Sequence, residues 1–173
     1  MGNYLCFCKN YYISSDLNLD NLNYGDVDYF SLDNMEFTAK VVDVYDGDTC
    51  SVIFKLSNEY VKFKCRCLGY DSPEMKPPKD SNNRDEIISN AHKAKNYFIN
   101  QVTDINIDEN TIYDKKDLKN KLLLNHKLIK IKTYKWDKYG RILAEFYNNS
   151  VNINDLMIKN GYGYPYDGGT KRT

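Results

Sequence analysis

Acidic residues of this 173-residue chain gather where two predicted strands end. Asp46 and Asp48 lie in the turn Asp-Gly-Asp-Thr, and Asp71 and Glu74 lie in Asp-Ser-Pro-Glu. Carboxylate, carbonyl and water oxygens are the ligands that Ca²⁺ prefers, and neither histidine of the chain lies in these turns. The sequence therefore predicts a calcium site where the two turns converge. Taken singly, each turn is also typical of ordinary hairpin or helix-capping structure.

Two arginines accompany these carboxylates. Arg66 lies on the polar face of the strand that leads to Asp71, and Arg141 opens the last strand after a glycine. Guanidinium groups bind phosphate oxygens in pairs and stabilise the charge that develops during phosphoryl transfer. A metal and a carboxylate that orients water complete the requirements for phosphodiester hydrolysis. For either arginine taken alone, a surface salt bridge is the favoured interpretation.

Three strands in a meander must position these groups. Residues 39–45, 49–55 and 60–68 are β-branched or alternating runs, separated by Asp-Gly-Asp and Ser-Asn turns. In the third strand, alternation predicts an apolar core face and a basic outer face. The core face consists of Val61, Phe63, Cys65 and Cys67, and the outer face of Lys62, Lys64 and Arg66.

The remaining elements complete a small mixed fold. Apolar spacing at Ile87, Ala91, Ala94 and Phe98 predicts an amphipathic helix over 84–101. A polar segment at 103–126, with a short helix near 117–124, is interpreted as an insertion. The last elements are strands at 128–134 and 142–147 and a short helix at 154–160 that ends before Gly161. This order predicts an α+β, mainly β fold: a five-stranded OB-fold barrel with a helix between strands three and four and a short C-terminal helix. Other small α+β arrangements would give similar patterns.

Composition excludes several classes of protein. The chain is 42% hydrophobic and 28% charged, so it is not disordered as a whole. It lacks an apolar run long enough to cross a bilayer and the apolar core of a secretory signal, so we expect an intracellular protein. Its five cysteines follow no zinc or disulfide spacing, and we expect them to remain thiols.

Charge is balanced over the whole chain but unevenly distributed. Residues 11–39 contain six acidic side chains and no Lys or Arg, whereas residues 40–173 contain 23 basic and 18 acidic side chains. We therefore interpret residues 1–36 as an acidic, flexible extension and residues 37–173 as the folded domain. The modest basic excess predicts weak, salt-sensitive contact with nucleic acid, although an ordinary mixed surface fits equally well.

Three blocks of the sequence resemble the signatures of the staphylococcal nuclease (thermonuclease) family. They are Val-Tyr-Asp-Gly-Asp-Thr at 44–49, Arg-Cys-Leu-Gly-Tyr-Asp-Ser-Pro-Glu at 66–74 and Asp-Lys-Tyr-Gly-Arg at 137–141. They occur in the family's order, and the resemblance covers roughly residues 37–166. It implies an OB barrel and Ca²⁺-dependent cleavage of DNA and RNA that leaves 3′-phosphates, with single strands preferred as substrates.

The resemblance also implies roles for individual residues. Asp48 and Asp71 would bind Ca²⁺ through their carboxylates, and Ser72 would bind it through its backbone carbonyl. Glu74 would position or deprotonate the attacking water. Arg66 and Arg141 would hold the scissile phosphate, with Arg141 stabilising the transition state.

The tyrosines are candidates for substrate contacts. Tyr139 would line the nucleotide pocket, whereas Tyr164 and Tyr166 would stack on bases or pack over the barrel. Ser72 stands where the bacterial enzymes have Thr, and we expect no counterpart of their long C-terminal helix in this sequence. Its Gly- and Tyr-rich tail is more similar to eukaryotic and viral relatives.

The N-terminus resembles a lipidation signal. Gly2 would be exposed for myristoylation, and Cys6 and Cys8 are placed for palmitoylation, although position six is Cys where Ser or Thr is favoured. Two acyl chains give stable attachment, so the protein is expected either in the cytoplasm or anchored to the cytoplasmic face of a membrane. A plain polar leader is the alternative.

Two functions remain open from the sequence. The first is an active, monomeric Ca²⁺-dependent nuclease without preference for DNA or RNA. The second is a catalytically silent OB-fold module that binds nucleic acid or protein. The presence of all five charged residues of the resembled site favours the first.

Overall fold

The computed structural model describes residues 19–166, which divide into two units between Ser31 and Leu32. In the first unit, a 3₁₀ helix at Leu19–Asn21 precedes a turn in which the Asp26 carboxylate accepts a hydrogen bond from a backbone N–H. Every described residue of this unit is exposed. The larger unit begins at Leu32, whose side chain is buried.

Eight strands and three helices follow in the larger unit. In chain order they are β1 (Glu36–Val44), β2 (Thr49–Leu56), β3 (Glu59–Cys67), β4 (Tyr70–Asp71), α1 (Arg84–Val102), α2 (Lys115–Leu124), β5 (Leu128–Trp136), β6 (Ile142–Asn148), β7 (Val151–Asn152), α3 (Ile153–Lys159) and β8 (Tyr164–Pro165). Each main strand and helix lies within a few residues of its predicted position.

Five strands close into a barrel. Strands β1, β2 and β3 form an antiparallel meander, β5 pairs with β1, and β6 pairs with β5. The barrel closes because β3 runs parallel to β6, with Arg66 opposite Leu143. The observed fold is thus the predicted α+β OB-fold barrel.

Alternation along β3 separates the core from the surface. Cys65 and Cys67 are buried, while Lys62 and Lys64 are exposed. Directly opposite Cys65, on β2, lies Cys50, and all three cysteines are free thiols. Burial raises the pKa of each, to about 12 for Cys65, so at neutral pH they behave as small apolar core residues.

Helix α1 covers the core with one apolar face. Its buried residues include Ala91, Ala94 and Phe98, as the spacing predicts, and the Phe98 ring meets Phe146 of β6 edge to face at 5.6 Å. Among the described residues, helices long and apolar enough to cross a membrane are absent.

The segment 103–126 packs against the barrel through α2. Leu118 and Leu122 of this helix are buried, and the Asp114 side chain caps its first turn by accepting from the Lys116 N–H at 2.8 Å. Asn96 of α1 donates its side-chain amide to three backbone carbonyls, those of Asp108, Glu109 and Thr111. These bonds tie the segment to α1.

A second, two-stranded sheet fixes the chain after β3. Strand β4 pairs with β8, so that Asp71 lies opposite Tyr164. The buried amide of Asn154 in α3 donates to the carbonyls of Leu68 and Ala144, at 2.9 and 3.1 Å. The chain between β3 and β4 is therefore held against β6, which positions Asp71 close to the end of the barrel.

Candidate active site

The turn between β1 and β2 presents one buried carboxylate. Asp48 is only 1% exposed, and both of its oxygens accept hydrogen bonds. Oδ1 accepts from the Thr49 hydroxyl at 2.9 Å and from Arg66 at 2.7 Å. Oδ2 accepts from the backbone N–H and the hydroxyl of Ser72, at 2.7 and 3.0 Å. Asp48 therefore links the two predicted acidic turns.

Close packing explains the glycine of this turn. A Cβ at Gly47 would lie 2.8 Å from Ser72 Cβ and 2.9 Å from Ala94 Cβ, distances that a real side chain does not reach. The Gly47 carbonyl accepts a hydrogen bond of 2.6 Å from the buried hydroxyl of Tyr70. The turn is therefore held between α1 and the chain that follows β4.

A second buried carboxylate lies beside the first. Asp71 is 1% exposed, and its Oδ1 forms an ion pair with the second amino group of Arg66. Beyond that ion pair, neither oxygen of Asp71 has a hydrogen-bond partner within residues 19–166. One guanidinium is thus shared by two buried carboxylates, which leaves the cluster with an excess negative charge.

Arg141 is held by its own turn. The Asp137 side chain accepts from the backbone N–H groups of Tyr139 and Arg141, at 2.8 and 2.9 Å, and from Arg141 Nε at 2.6 Å. Partial burial would raise the pKa of Asp137, but the hydrogen bonds from Arg141 and Tyr139 outweigh it and lower this pKa. The connecting Gly140 has φ +75°, a backbone conformation that glycine adopts without strain.

Thr49 joins the two arginine positions. Its hydroxyl donates to Asp48 and accepts from Arg141 Nη1 at 3.3 Å. The structure therefore brings Asp48, Asp71, Arg66 and Arg141 into one connected network, from four separate segments of the chain. Thr49 and Asp137 were not among the predicted site residues, although both lie inside the quoted blocks and the Asp137-to-Arg141 spacing of four was a usable signal.

Asp46 adds a further acid to the same turn. Its carboxylate accepts from the Asp48 N–H at 3.0 Å. Burial and the negative charge of Asp48 raise the pKa of Asp46 to about 7, against the opposing effect of the backbone hydrogen bonds. Near neutral pH this turn therefore carries less negative charge than its sequence indicates.

The other predicted site residues are more dispersed. Glu74 is exposed, three residues beyond Asp71. The Tyr139 ring is 72% exposed and lies 5.3 Å from the Arg141 guanidinium, and the Tyr166 ring lies 5.8 Å from that of Arg66. Tyr164 contributes backbone pairing to Asp71. The proposed lipidation positions Gly2, Cys6 and Cys8 lie outside the described residues.

The donor atoms fit a hard divalent cation. Within residues 19–166, groups of three or more His, Cys, Asp or Glu side chains that could hold a metal are absent, so any ion here would rest on two carboxylates completed by carbonyl and water oxygens. That all-oxygen mixture suits Ca²⁺. Asp71 is buried and its carboxylate oxygens accept no hydrogen bond among the described residues, which is expected of a metal ligand. Without a ligand, such buried oxygens would destabilise the folded state.

Comparison with known families agrees with this arrangement. Residues 64–171, more than half of the chain, match the family model described as Staphylococcal nuclease homologue. No curated protein sequence matches the chain. The matched range includes Arg66, Asp71, Glu74 and Arg141, whereas Asp48 lies before it and joins the site through its contacts.

Proposed function

The chain belongs to the staphylococcal nuclease homologue family, and we propose that it is a Ca²⁺-dependent nuclease that hydrolyses phosphodiester bonds of DNA and RNA. Family membership supports a hydrolase that acts on nucleic acid. The metal, the lack of sugar preference and the 3′-phosphate product are the finer parts of the proposal.

One observation carries the proposal. Arg66 lies between two buried carboxylates, and Thr49 connects this cluster to Arg141. Burying two carboxylates against one guanidinium is a poor way to gain stability, because desolvation of the charges opposes their attraction. A cluster of this kind is typical of a site for a cation and an anionic substrate.

The residues of this network would have different roles. Asp48 and Asp71 would hold the cation, together with the carbonyl of Ser72. When bound, Ca²⁺ would supply positive charge that polarises a phosphoryl oxygen. Arg66 would then share its donors between the carboxylates and the phosphate, because its side chain is 14% exposed and so keeps some access to solvent.

Arg141 and Glu74 would act on the reacting atoms. Glu74 would orient water and accept its proton as the water oxygen bonds to phosphorus. The bond from phosphorus to O5′ would break, so that the phosphate stays on the 3′ oxygen and the departing 5′ oxygen takes up a proton from solvent. Arg141 would stabilise the charge on the phosphoryl and leaving oxygens, and Asp137 keeps its guanidinium in place through Nε.

Cleavage of single-stranded DNA tests the proposal directly. The full chain is assayed with Ca²⁺, with EGTA, and with Ca²⁺ after Arg141→Ala, and circular dichroism checks each sample for folding. Arg84→Ala is the matched control, because it removes an arginine outside this network. We expect cutting that disappears with EGTA and falls about 100-fold or more in Arg141→Ala, with little change in Arg84→Ala.

The proposal would be contradicted if the folded wild-type protein cut neither DNA nor RNA, whether single-stranded or double-stranded. In that event the silent nucleic-acid or protein-binding module becomes the better interpretation. Cutting that persists in EGTA would contradict the calcium dependence alone.

A further inference from the structure

The outer face of β3 carries a row of side chains that starts at the candidate active site. Arg66, Lys64, Lys62 and Tyr60 alternate along this strand with the inward-facing residues. At the usual rise per residue of a β-strand, the row from Tyr60 to Arg66 extends for about 20 Å. Lys62 and Lys64 are exposed, and the Tyr60 side chain is 75% exposed. The row therefore offers cations and an aromatic ring in a line that leads away from the scissile position.

Neighbouring elements turn this face into a groove. Ile53 of β2 lies between Lys62 of β3 and Lys40 of β1 in the strand register. Helix α2 forms the opposite wall, where Lys119 contributes its side chain. The groove has a volume of about 360 Å³. We call it the β1–α2 groove.

Charge in the β1–α2 groove is mainly positive. Lys40, Lys62 and Lys119 line it, and Asp43 is the single carboxylate among its described lining residues. Asp43 lies 4.0 Å from Lys119 Nζ, at the limit of an ion pair, and both side chains are substantially exposed. A contact of this kind contributes little, so the lysines keep their attraction for an anion.

We propose that the β1–α2 groove and the β3 row bind single-stranded nucleic acid next to the scissile phosphate. This inference rests on the proposed nuclease function and assigns the path of its substrate. Lys62, Lys64 and Lys119 contact successive phosphates, while Tyr60 and the apolar surface at Ile53 face the bases. Bases are accessible for such contacts in a single strand, whereas a duplex keeps them stacked inside.

Length and position support this occupant. A row of about 20 Å suits a short single strand, since OB folds cover roughly 4 to 16 nucleotides. The row is continuous with Arg66, which the proposed mechanism already places against a phosphate. A polymer bound at the reacting position would therefore meet Lys64 and Lys62 in turn.

Equilibrium binding tests the inference without relying on cleavage. The probe is a fluorescein-labelled 12-nucleotide oligo(dT), titrated with full-length protein in EDTA at several salt concentrations and followed by fluorescence anisotropy. For a single strand, each phosphate contact contributes about 0.7 to the slope of log K against log salt. We expect Lys62→Gln/Lys64→Gln to reduce this slope by about 1.4, and Lys119→Gln to reduce it by about 0.7.

A matched control separates a specific path from general attraction. Lys130→Gln/Lys135→Gln removes two exposed lysines from β5 and leaves the β1–α2 groove intact. We expect it to leave the slope unchanged within about 0.3. Equal losses in both double variants would overturn the assigned path. An unchanged slope in Lys119→Gln would overturn the role of α2, and equal effects on a 12-base-pair duplex would overturn the single-strand assignment.

Cleavage kinetics distinguish failure of this inference from failure of the nuclease proposal. We expect the Lys62→Gln/Lys64→Gln variant to lose about three- to tenfold in kcat/KM on the 12-mer and to cut a dinucleotide substrate as the wild type does. Equal kcat/KM losses on both substrates would overturn the path and leave the nuclease proposal intact. Absence of any cutting would contradict the nuclease proposal, and the binding experiment would then decide the path alone.

Discussion

Charge lies in two very different settings along β3. Where β3 ends and β2 begins, Arg66 and the adjoining Asp48 lie in a largely buried network of hydrogen bonds and ion pairs. A few residues earlier on β3, Lys62 and Lys64 are exposed on the outer face. In the first setting water is largely excluded, and in the second it surrounds the charges.

This difference predicts how substitutions behave. Charges removed from water interact strongly, so loss of one member of the network changes both stability and chemistry. Exposed charges are screened, so their effects are small, nearly additive and sensitive to salt. Substitutions in the two settings test this contrast.

Arg66→Ala should have the largest effect, because it leaves two buried carboxylates without their cation. We expect a loss of about 3–5 kcal/mol in the free energy of unfolding at neutral pH, together with loss of cleavage. Urea unfolding measures it, and added Ca²⁺ should restore part of the stability by binding the same carboxylates. If the variant unfolded at the same urea concentration as the wild type, the proposed difference between buried and exposed charges would be contradicted.

Asp71→Asn should separate activity from stability. It removes one of the two carboxylates that share Arg66, so the remaining pair with Asp48 is balanced. We expect cleavage to fall by about 100-fold or more, while the free energy of unfolding without divalent ions stays equal or rises by about 1 kcal/mol. A stable variant that still cleaves at the wild-type rate would exclude Asp71 as a metal ligand.

Asp137→Asn tests a positioning residue. The amide still accepts from the turn N–H groups but weakens the contact with Arg141 Nε, so we expect about a tenfold lower kcat with little change in KM.

The lowered pKa of Asp137 means that the stabilisation from its carboxylate is present above its ordinary pKa of 3.8 and is lost as the pH falls through the lower pKa of the folded state. Urea unfolding should therefore show a stability difference between wild type and variant that shrinks below about pH 4. A difference that does not vary with pH would contradict this role.

Tyr139→Ala should have the smallest effect of this series. The ring is mostly exposed beside Arg141, so its removal should raise KM about three- to tenfold through lost stacking and leave kcat nearly unchanged. Tyr29→Ala, which removes an exposed tyrosine of residues 19–31, serves as the control. A fall in kcat that is larger than the rise in KM would instead assign Tyr139 a role in the chemical step.

Local patterns predicted most of the elements. Alternation in β3 and the apolar spacing in α1 depend on neighbours close in sequence, and both elements lie where these patterns place them. The pairing of β4 with β8 was not predicted, because two-residue strands have no recognisable period. The packing of α2 against the barrel likewise depends on residues that are distant in the chain.

Several residues predicted from the sequence lie in one connected network, but their contacts were not predicted. Asp48, Asp71 and Arg141 were identified from their residue types at strand ends. That Arg66 would pair with both carboxylates, and that Thr49 would link them to Arg141, depends on side-chain geometry that sequence patterns do not contain. The metal, the individual catalytic roles and the lipidated leader remain predictions.

The parallel pairing of β3 with β6 has a consequence for the order of folding. It joins Cys65 to Ile142, so the barrel closes only after a long stretch of chain has been ordered. Contacts so distant in sequence have a high entropic barrier and form slowly. During synthesis on the ribosome, the β1–β3 meander must wait for the C-terminal third of the chain before Arg66 and Arg141 share a site. A nascent or truncated chain that ends before β6 is therefore expected to lack this site, so the proposed cleavage requires synthesis to have passed β6.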